Sequence, residues 1–347
     1  MLTLRDDTFA QIALPVSTGW LLADCMEFRG KQELWSRQRP EVLDALRQQA
    51  MIQSVESSNR IEGVTVSPER LAPLVIGKAL PRDRSEEELS GYRRALEWIF
   101  SRTSAVSVDA RTIRHLHALS HAGAGDAGQF KRHDNEIVEL LPDGRHRVRF
   151  KPTVVAQTAR AVDDLCSAYQ RLTAAQQAPP LLMVSTMVFD LLCIHPFRDG
   201  NGRVSRLLTT MLLLQQGFSV GRYVSLERLV EQSKEDYYRV LGECSQGWHE
   251  GHNPVLPWWN YCLGVLRRAY VDFSRQVENS AGQPIKTELA RRTILSQVGM
   301  FTLADIQAQL PGVSAALLKK MLTRMKADGQ LSLTGCGRGA KWTVRLP

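Results

Sequence analysis

The sequence predicts a mainly α-helical protein with one β-hairpin in its middle and a small basic module at its end. Three observations point there. Apolar residues recur at helical spacing through most of the chain, and proline opens several of these runs, where its missing N–H costs nothing. One stretch, Ile137 to Phe150, instead places two short β-prone runs around Pro142-Asp143-Gly144, the composition of a hairpin turn. From Pro284 onward there are ten Lys/Arg against three Asp/Glu, a net +7 in a 347-residue chain whose total is +8.

Taken in order, the first long helix spans Pro40 to Asn59, with Val42, Leu43, Leu46, Ala50, Met51 and Val55 near one stripe. Helical patterns follow at Glu86–Ser101 and Asp109–His121. After the hairpin they resume at Val154–Arg171, Pro180–Ile194, Val204–Gln216, Ser225–Gln232, Lys234–Cys244 and Leu256–Glu278. A lone hairpin in such a chain suits a flap, or an edge for a partner. Asn279 to Pro284 is polar and contains Gly and Pro, which reads as a linker. Beyond it come helices Glu288–Val298, Leu303–Gln309 and Ser314–Asp328, with a turn at Pro311-Gly312. Two β-prone runs then flank Gly335-Cys336-Gly337-Arg338-Gly339. Three helices and a hairpin make a winged helix-turn-helix.

Composition narrows the class. Hydrophobic residues are 44% and charged residues 23%, as in ordinary soluble proteins. The opening residues lack a basic flank leading into an apolar run, so no secretory signal is expected. The longest apolar run, Pro179 to Ile194, is too short to span a bilayer and contains Asp190. The six cysteines are scattered without a C-x-x-C pair, which argues against zinc and disulfides and fits a reducing cytoplasm.

The chemistry concentrates in HPFRDGNGRVSR, residues 195 to 206. Pro196 stops the preceding helix and keeps His195 out of right-handed helical geometry. Gly200 and Gly202 permit unusual torsions and close approach of a ligand to the backbone. Backbone N–H groups there, beside a helix start, form an anion site. Arg203 and Arg206 add positive charge at the positive end of a helix dipole, a conflict that an anion such as a polyphosphate would resolve. Asp199 suits a magnesium ion bridging to phosphates. His195 is the group whose ordinary pKa lies near neutrality, able to take a proton from an incoming hydroxyl.

The spacing H-x-F-x-D-G-N-G-R-x-x-R resembles the signature of the Fic family, H-x-F-x-[DE]-G-N-G-R-x-x-R, at every defined position. Gly128-Gln129-Phe130-Lys131 is similar to the family's G-x-[YF]-R element, with Lys131 in place of arginine. The resemblance covers roughly Glu86 to Tyr270. It implies transfer of AMP from ATP to a hydroxyl of a target protein, or of the chain itself. His195 would be the general base and Asp199 the magnesium ligand. Gly200, Asn201, Gly202 and Arg203 would hold the α- and β-phosphates, with Val204 and Ser205 in the same binding stretch, and Arg206 would meet the γ-phosphate. Tyr238 would line the base pocket, and the hairpin would be a flap that clamps an extended target segment.

The run Ser58-Asn59-Arg60-Ile61-Glu62-Gly63 sets Ser58 and Glu62 four apart at a helix end, with Gly63 as its cap. This is similar to the family's [ST]-x-x-x-E-[GN] inhibitory motif, in the subclass with an N-terminal inhibitory helix. Glu62 would pair with Arg206 and deny it to the γ-phosphate.

The expected organisation is an N-terminal helical region over 1–85 carrying the inhibitory helix, a Fic core over 86–278, a linker over 279–286 and a winged helix-turn-helix over 287–347. The basic face with Lys319, Lys320, Arg324 and Lys326, and a wing with Arg338 and Lys341, would suit DNA; a protein partner at the same module is the alternative. No membrane partner is expected, and the sequence is compatible with a homodimer. Two other functions keep the same residues in view: transfer of another phosphate-containing group or removal of AMP, and ATP sensing by a DNA-binding regulator.

Overall fold

The computed structural model describes residues 2–38, 40–102, 106–140, 146–279, 285–297, 299–335 and 340–344. Its chain order begins with α1 (Asp6–Gln11), α2 (Val16–Gln38), α3 (Pro40–Ile61), α4 (Pro68–Val75), α5 (Arg84–Arg102) and α6 (Ala110–Ser120). The strands β1 (Ile137–Leu140) and β2 (His146–Phe150) come next, then α7 (Val155–Ala175), α8 (Pro180–Ile194) and α9 (Asn201–Gln215). After a short 3-10 turn at Val220–Arg222 follow α10 (Leu226–Gln232), α11 (Lys234–Cys244) and α12 (Leu256–Asn279). The last elements are α13 (Ile285–Leu295), β3 (Met300–Phe301), α14 (Leu303–Gln309), α15 (Ala315–Ala327), β4 (Leu331–Thr334) and β5 (Lys341–Val344).

The core is built around α8. Its sequence PLLMVSTMVFDLLCI is apolar on every side, and every residue from Leu181 to Ile194 is buried, packed among α7, α9 and α12. Asp190 interrupts this run for a reason that the fold makes visible. Its fully buried carboxylate accepts the backbone N–H groups of Thr3 and Leu4 at 3.0 and 2.7 Å and the indole N–H of Trp248 at 2.7 Å. It thereby ties the start of the chain to the central helix. No helix among the described residues is long and apolar enough to cross a membrane.

Three helices escape a reading of the sequence. α2 is 23 residues long and packs along α12, yet it also exposes Val16, Trp20 and Leu34, so its apolar residues trace no clean stripe. α1 and α4 are short, and α4 carries Pro73 inside it. Several boundaries also move, and α7 runs on to Ala175 rather than Arg171. α9 starts at Asn201 rather than Val204, because Gly200 in a left-handed conformation (φ +77°) serves as its N-cap. α13 begins at Ile285 rather than Glu288 and ends at Leu295.

β1 and β2 pair antiparallel with Val138 opposite Val148, and both valines are exposed. The Pro142-Asp143-Gly144 turn, most of the linker (280–284) and the Cys336–Gly339 part of the wing with Arg338 lie outside the described residues.

A second cluster of buried side chains gathers Ala290, Ile294, Phe301, Ile306, Leu318 and Leu322 with their neighbours beneath a three-stranded sheet in the order β3-β5-β4. The sheet has one strand more than the expected hairpin, since Met300 and Phe301 pair with Thr343 and Trp342. α13 touches α3 and α14 touches α4, so this cluster rests against the N-terminal helices.

Candidate active site

The site forms where α8 gives way to α9. His195 closes α8 in a left-handed conformation (φ 51°, ψ 61°), one of two such non-glycine residues among those described, with Pro196 behind it forbidding another helical turn. Phe197 is fully buried. Asn201 locks the loop by accepting the Phe197 N–H at 3.0 Å and donating to its carbonyl at 2.8 Å. The Asn201 amide is thus engaged within the loop, leaving its backbone to face a ligand. The Val204 side chain lies in the core, and the Ser205 hydroxyl donates to the Gly202 carbonyl at 2.7 Å. These two positions can likewise offer a nucleotide only backbone groups.

The two arginines at the start of α9 are not uncompensated. Arg203 is 2% exposed, donates to Glu88 at 2.7 Å, and reaches His121 Nδ1 at 3.2 Å. Its charge is met inside the protein, by a residue of α5. Arg206 donates from Nε to the Ser58 hydroxyl at 2.9 Å, and from Nη2 to the Ser58 carbonyl at 2.9 Å and to Glu62 at 2.7 Å. Burial opposes its charge, but Glu62 and Tyr92 outweigh burial and raise its pKa. The conflict read from the sequence is therefore answered by protein carboxylates in this state.

Glu62 does more than pair. A β-carbon placed on Gly202 would lie 2.3 Å from Glu62 Oε1, so the carboxylate rests directly on the first turn of α9. That is the place a helix start offers an anion. α3 delivers Glu62 there by ending at Ile61 with Gly63 at φ +81°, and Lys234 fastens that end by donating to the Ile61 carbonyl at 2.9 Å.

Asp199 stands at the mouth of the loop, 58% exposed. One carboxylate oxygen accepts the Gly200 N–H at 2.6 Å, and the other lies 4.0 Å from Arg203. Among the described residues no group of three or more His, Cys, Asp or Glu could hold a metal. The donor set fits magnesium held by one carboxylate and completed by phosphates and water, and does not suit a metal caged by protein alone.

His195 is half-buried, and its Nδ1 is buried without a hydrogen-bond partner in the structure. Burial pushes its pKa down to about 4; the charge of Lys131 adds to the fall, while the Leu192 carbonyl, Glu62 and Asp199 oppose it. Lys131 is itself buried, bonded through Nζ to Asn135 at 3.0 Å and through its N–H to the Pro196 carbonyl at 2.9 Å. Desolvation lowers its pKa to about 8. Tyr238 lies on the wall of an open cleft of about 990 Å3 shared with Arg147, Lys234 and Gly242. The Arg149 guanidinium, from β2, stands 5.7 Å from its ring centre.

The model of the Fic/DOC family matches residues 107–213, a span that holds the whole loop. This segment is similar to Fic domains. Among relatives, the chain is 24% identical over 208 residues to a protein adenylyltransferase Fic of Nematostella vectensis, covering 57% of this chain and 44% of that one. It is 26% identical over 206 residues to the Culex quinquefasciatus protein of that name, covering 56% of this chain and 38% of the relative. The matched segment thus spans less than half the length of these relatives. In fold, the chain resembles a Fic family protein from Desulfovibrio desulfuricans (TM-score 0.61, 19% identity, 96% of this chain and 97% of the other). It also resembles a Fic domain containing signaling protein from Bacteroides thetaiotaomicron (TM-score 0.61, 20% identity, 76% and 98%).

The junction of α8 and α9 places Gly200, Asn201, Gly202, Arg203 and Arg206 at one helix start, and the end of α3 brings Ser58 and Glu62 to Arg206 from 148 and 144 residues away in sequence. Sequence reasoning missed Glu88, which holds Arg203, and His117 and His121, which pack behind the loop. Nothing in their local sequence marks them, because each acts through a partner 82 or 115 residues distant.

Proposed function

We propose that the protein is a protein adenylyltransferase held in check by its own α3. The observation that carries this is Glu62: its carboxylate both grips Arg206 at 2.7 Å and sits on the first turn of α9. A carboxylate there stands where a phosphate would bind, so nucleotide and Glu62 compete for one anion site.

In the active arrangement Gly200 and Gly202 let the α- and β-phosphates approach the backbone, and Arg206, freed from Glu62, meets the γ-phosphate. Asp199 would hold magnesium, which neutralises phosphate charge when bound. Neutral His195 takes the proton from a target Ser, Thr or Tyr hydroxyl. The hydroxyl oxygen bonds to the α-phosphorus, the bond from that phosphorus to the bridging oxygen breaks, and pyrophosphate leaves. Fixed positive charge at the start of α9 stabilises the charge developing on the leaving group. The two-stranded hairpin of β1 and β2, with Val138 and Val148 exposed on its face, would offer a strand edge to an extended target segment. Tyr238, at the cleft wall, would face the base.

Replacing Glu62 by Gly should raise incorporation of labelled AMP from ATP, into the chain itself or an added target, by about 5–150-fold, the span of one coupling of this kind. Unchanged or lower incorporation with ATP binding intact would overturn the brake.

The C-terminal cluster of three helices and a three-stranded sheet supports reading residues 287–347 as a winged helix. On α15, Leu318, Met321, Leu322 and Met325 are buried, while Lys319, Lys320, Arg324 and Lys326 are exposed. This one-sided charge favours a nucleic-acid partner.

A further inference from the structure

Behind the phosphate loop lies a buried histidine to which the proposed reaction gives no part. His117, in the last turn of α6, is 1% exposed. Its Nδ1 accepts the Gly128 N–H at 2.8 Å, and its Nε2 lies 3.1 Å from the Asp199 carbonyl oxygen. A backbone N–H only donates and a carbonyl only accepts, so the two partners assign the tautomer. The proton sits on Nε2 and is donated to Asp199. The ring stacks on Phe197 with centroids 3.9 Å apart and planes 1° from parallel. It also lies 3.4 Å from where a β-carbon on Gly200 would stand. One imidazole thus touches three residues of the 197–200 loop on one side and, on the other, the Gly128 turn that precedes the flap.

We propose that His117 is a positioning residue for the nucleotide and metal site, a rigid two-ended spacer that sets the Asp199–Gly200 peptide and ties it to the Gly128 turn. This rests on Asp199 being the magnesium carboxylate. The direction of a short Asp side chain follows its backbone, and here Asp199 Oδ1 is further restrained by the Gly200 N–H at 2.6 Å. Imidazole carries an acceptor near Cβ and a donor farther out, at a fixed separation. Asn can supply only the near acceptor, and Gln only the far donor. Phe keeps the stack on Phe197 and loses both hydrogen bonds. These three replacements separate positioning from mere packing.

The test uses the full chain carrying Glu62→Gly, so that the anion site is open. Binding of a non-hydrolysable ATP analogue is titrated with magnesium for the parent and for His117→Phe, His117→Asn and His117→Gln, with thermal unfolding recorded for each. His117→Phe and His117→Asn should raise the half-saturating magnesium concentration about tenfold, while His117→Gln stays nearer the parent and magnesium-free binding changes by less than about twofold. Amide exchange at Gly128 should quicken in the Phe and Gln variants but not in the Asn variant. Equal magnesium midpoints in folded Phe and Gln variants would overturn the proposal. A parent whose analogue binding ignores magnesium would overturn it differently, by removing the role of Asp199 on which it stands.

Discussion

At the scale of one residue, His195 combines three costs that a structural histidine would avoid. It adopts a left-handed backbone, it is followed by Pro196, and its Nδ1 is buried without a partner. What these gain is an imidazole that is neutral well below physiological pH. With a pKa near 4, the ring is protonated only under acid conditions, so at pH 7 it accepts a proton with no prior loss of one. The sign of the pH dependence follows. The single-turnover rate of AMP transfer in the Glu62→Gly protein should be insensitive to this group through neutrality and fall only as pH drops toward 4. Lys131 deepens the depression by its charge. Lys131→Met should therefore move the acid limb upward, and His195→Ala should abolish transfer while ATP binding survives. A rate that already halves near pH 6.5, the ordinary histidine value, would show that burial does not set this base.

At the scale of elements, the decisive contact is the end of α3 against the start of α9, and Gly202 is where they meet. A methyl group there would collide with Glu62 Oε1 at 2.3 Å. In the proposed function, loss of the Glu62 contact activates, and the same surface admits phosphate. Gly202→Ala should therefore fail to mimic Glu62→Gly, and adding it to Glu62→Gly should cut ATP affinity about tenfold or more, as measured by calorimetry. Affinity preserved in the double variant would mean the phosphates do not approach the backbone at this turn. Much of this junction was legible in the sequence. The H-x-F-x-D-G-N-G-R-x-x-R spacing marked one side, and Ser58 with Glu62, four apart before Gly63, marked the other. The Glu88–Arg203 pair was not legible, since a partner 115 residues away leaves no local pattern. α2 stayed hidden for another reason: Val16, Trp20 and Leu34 are exposed, so helical periodicity there does not report burial.

At the scale of the whole molecule, the basic C-terminal elements stand apart in charge from the rest but not in contact. Their core is their own, yet α13 lies on α3 and α14 on α4, the helices that lead up to and away from Glu62. A partner at α15 would thus bind a module already seated on α3, the helix that delivers Glu62. If that partner is DNA, Lys319, Lys320, Arg324 and Lys326 must displace counterions from phosphates, because they are exposed and their helix buries only the opposite face. Each phosphate neutralised contributes about −0.9 to the slope of log affinity against log salt. Fluorescence anisotropy of the full chain with a labelled duplex should show binding at low salt that weakens steeply as salt rises. Replacing Lys319 and Lys320 by Gln should lower the magnitude of the slope by about 2, and should do so across duplexes of unrelated sequence, since phosphate contacts carry no base information. Absence of any low-salt binding would instead assign this basic face to an acidic protein surface, still seated against α3.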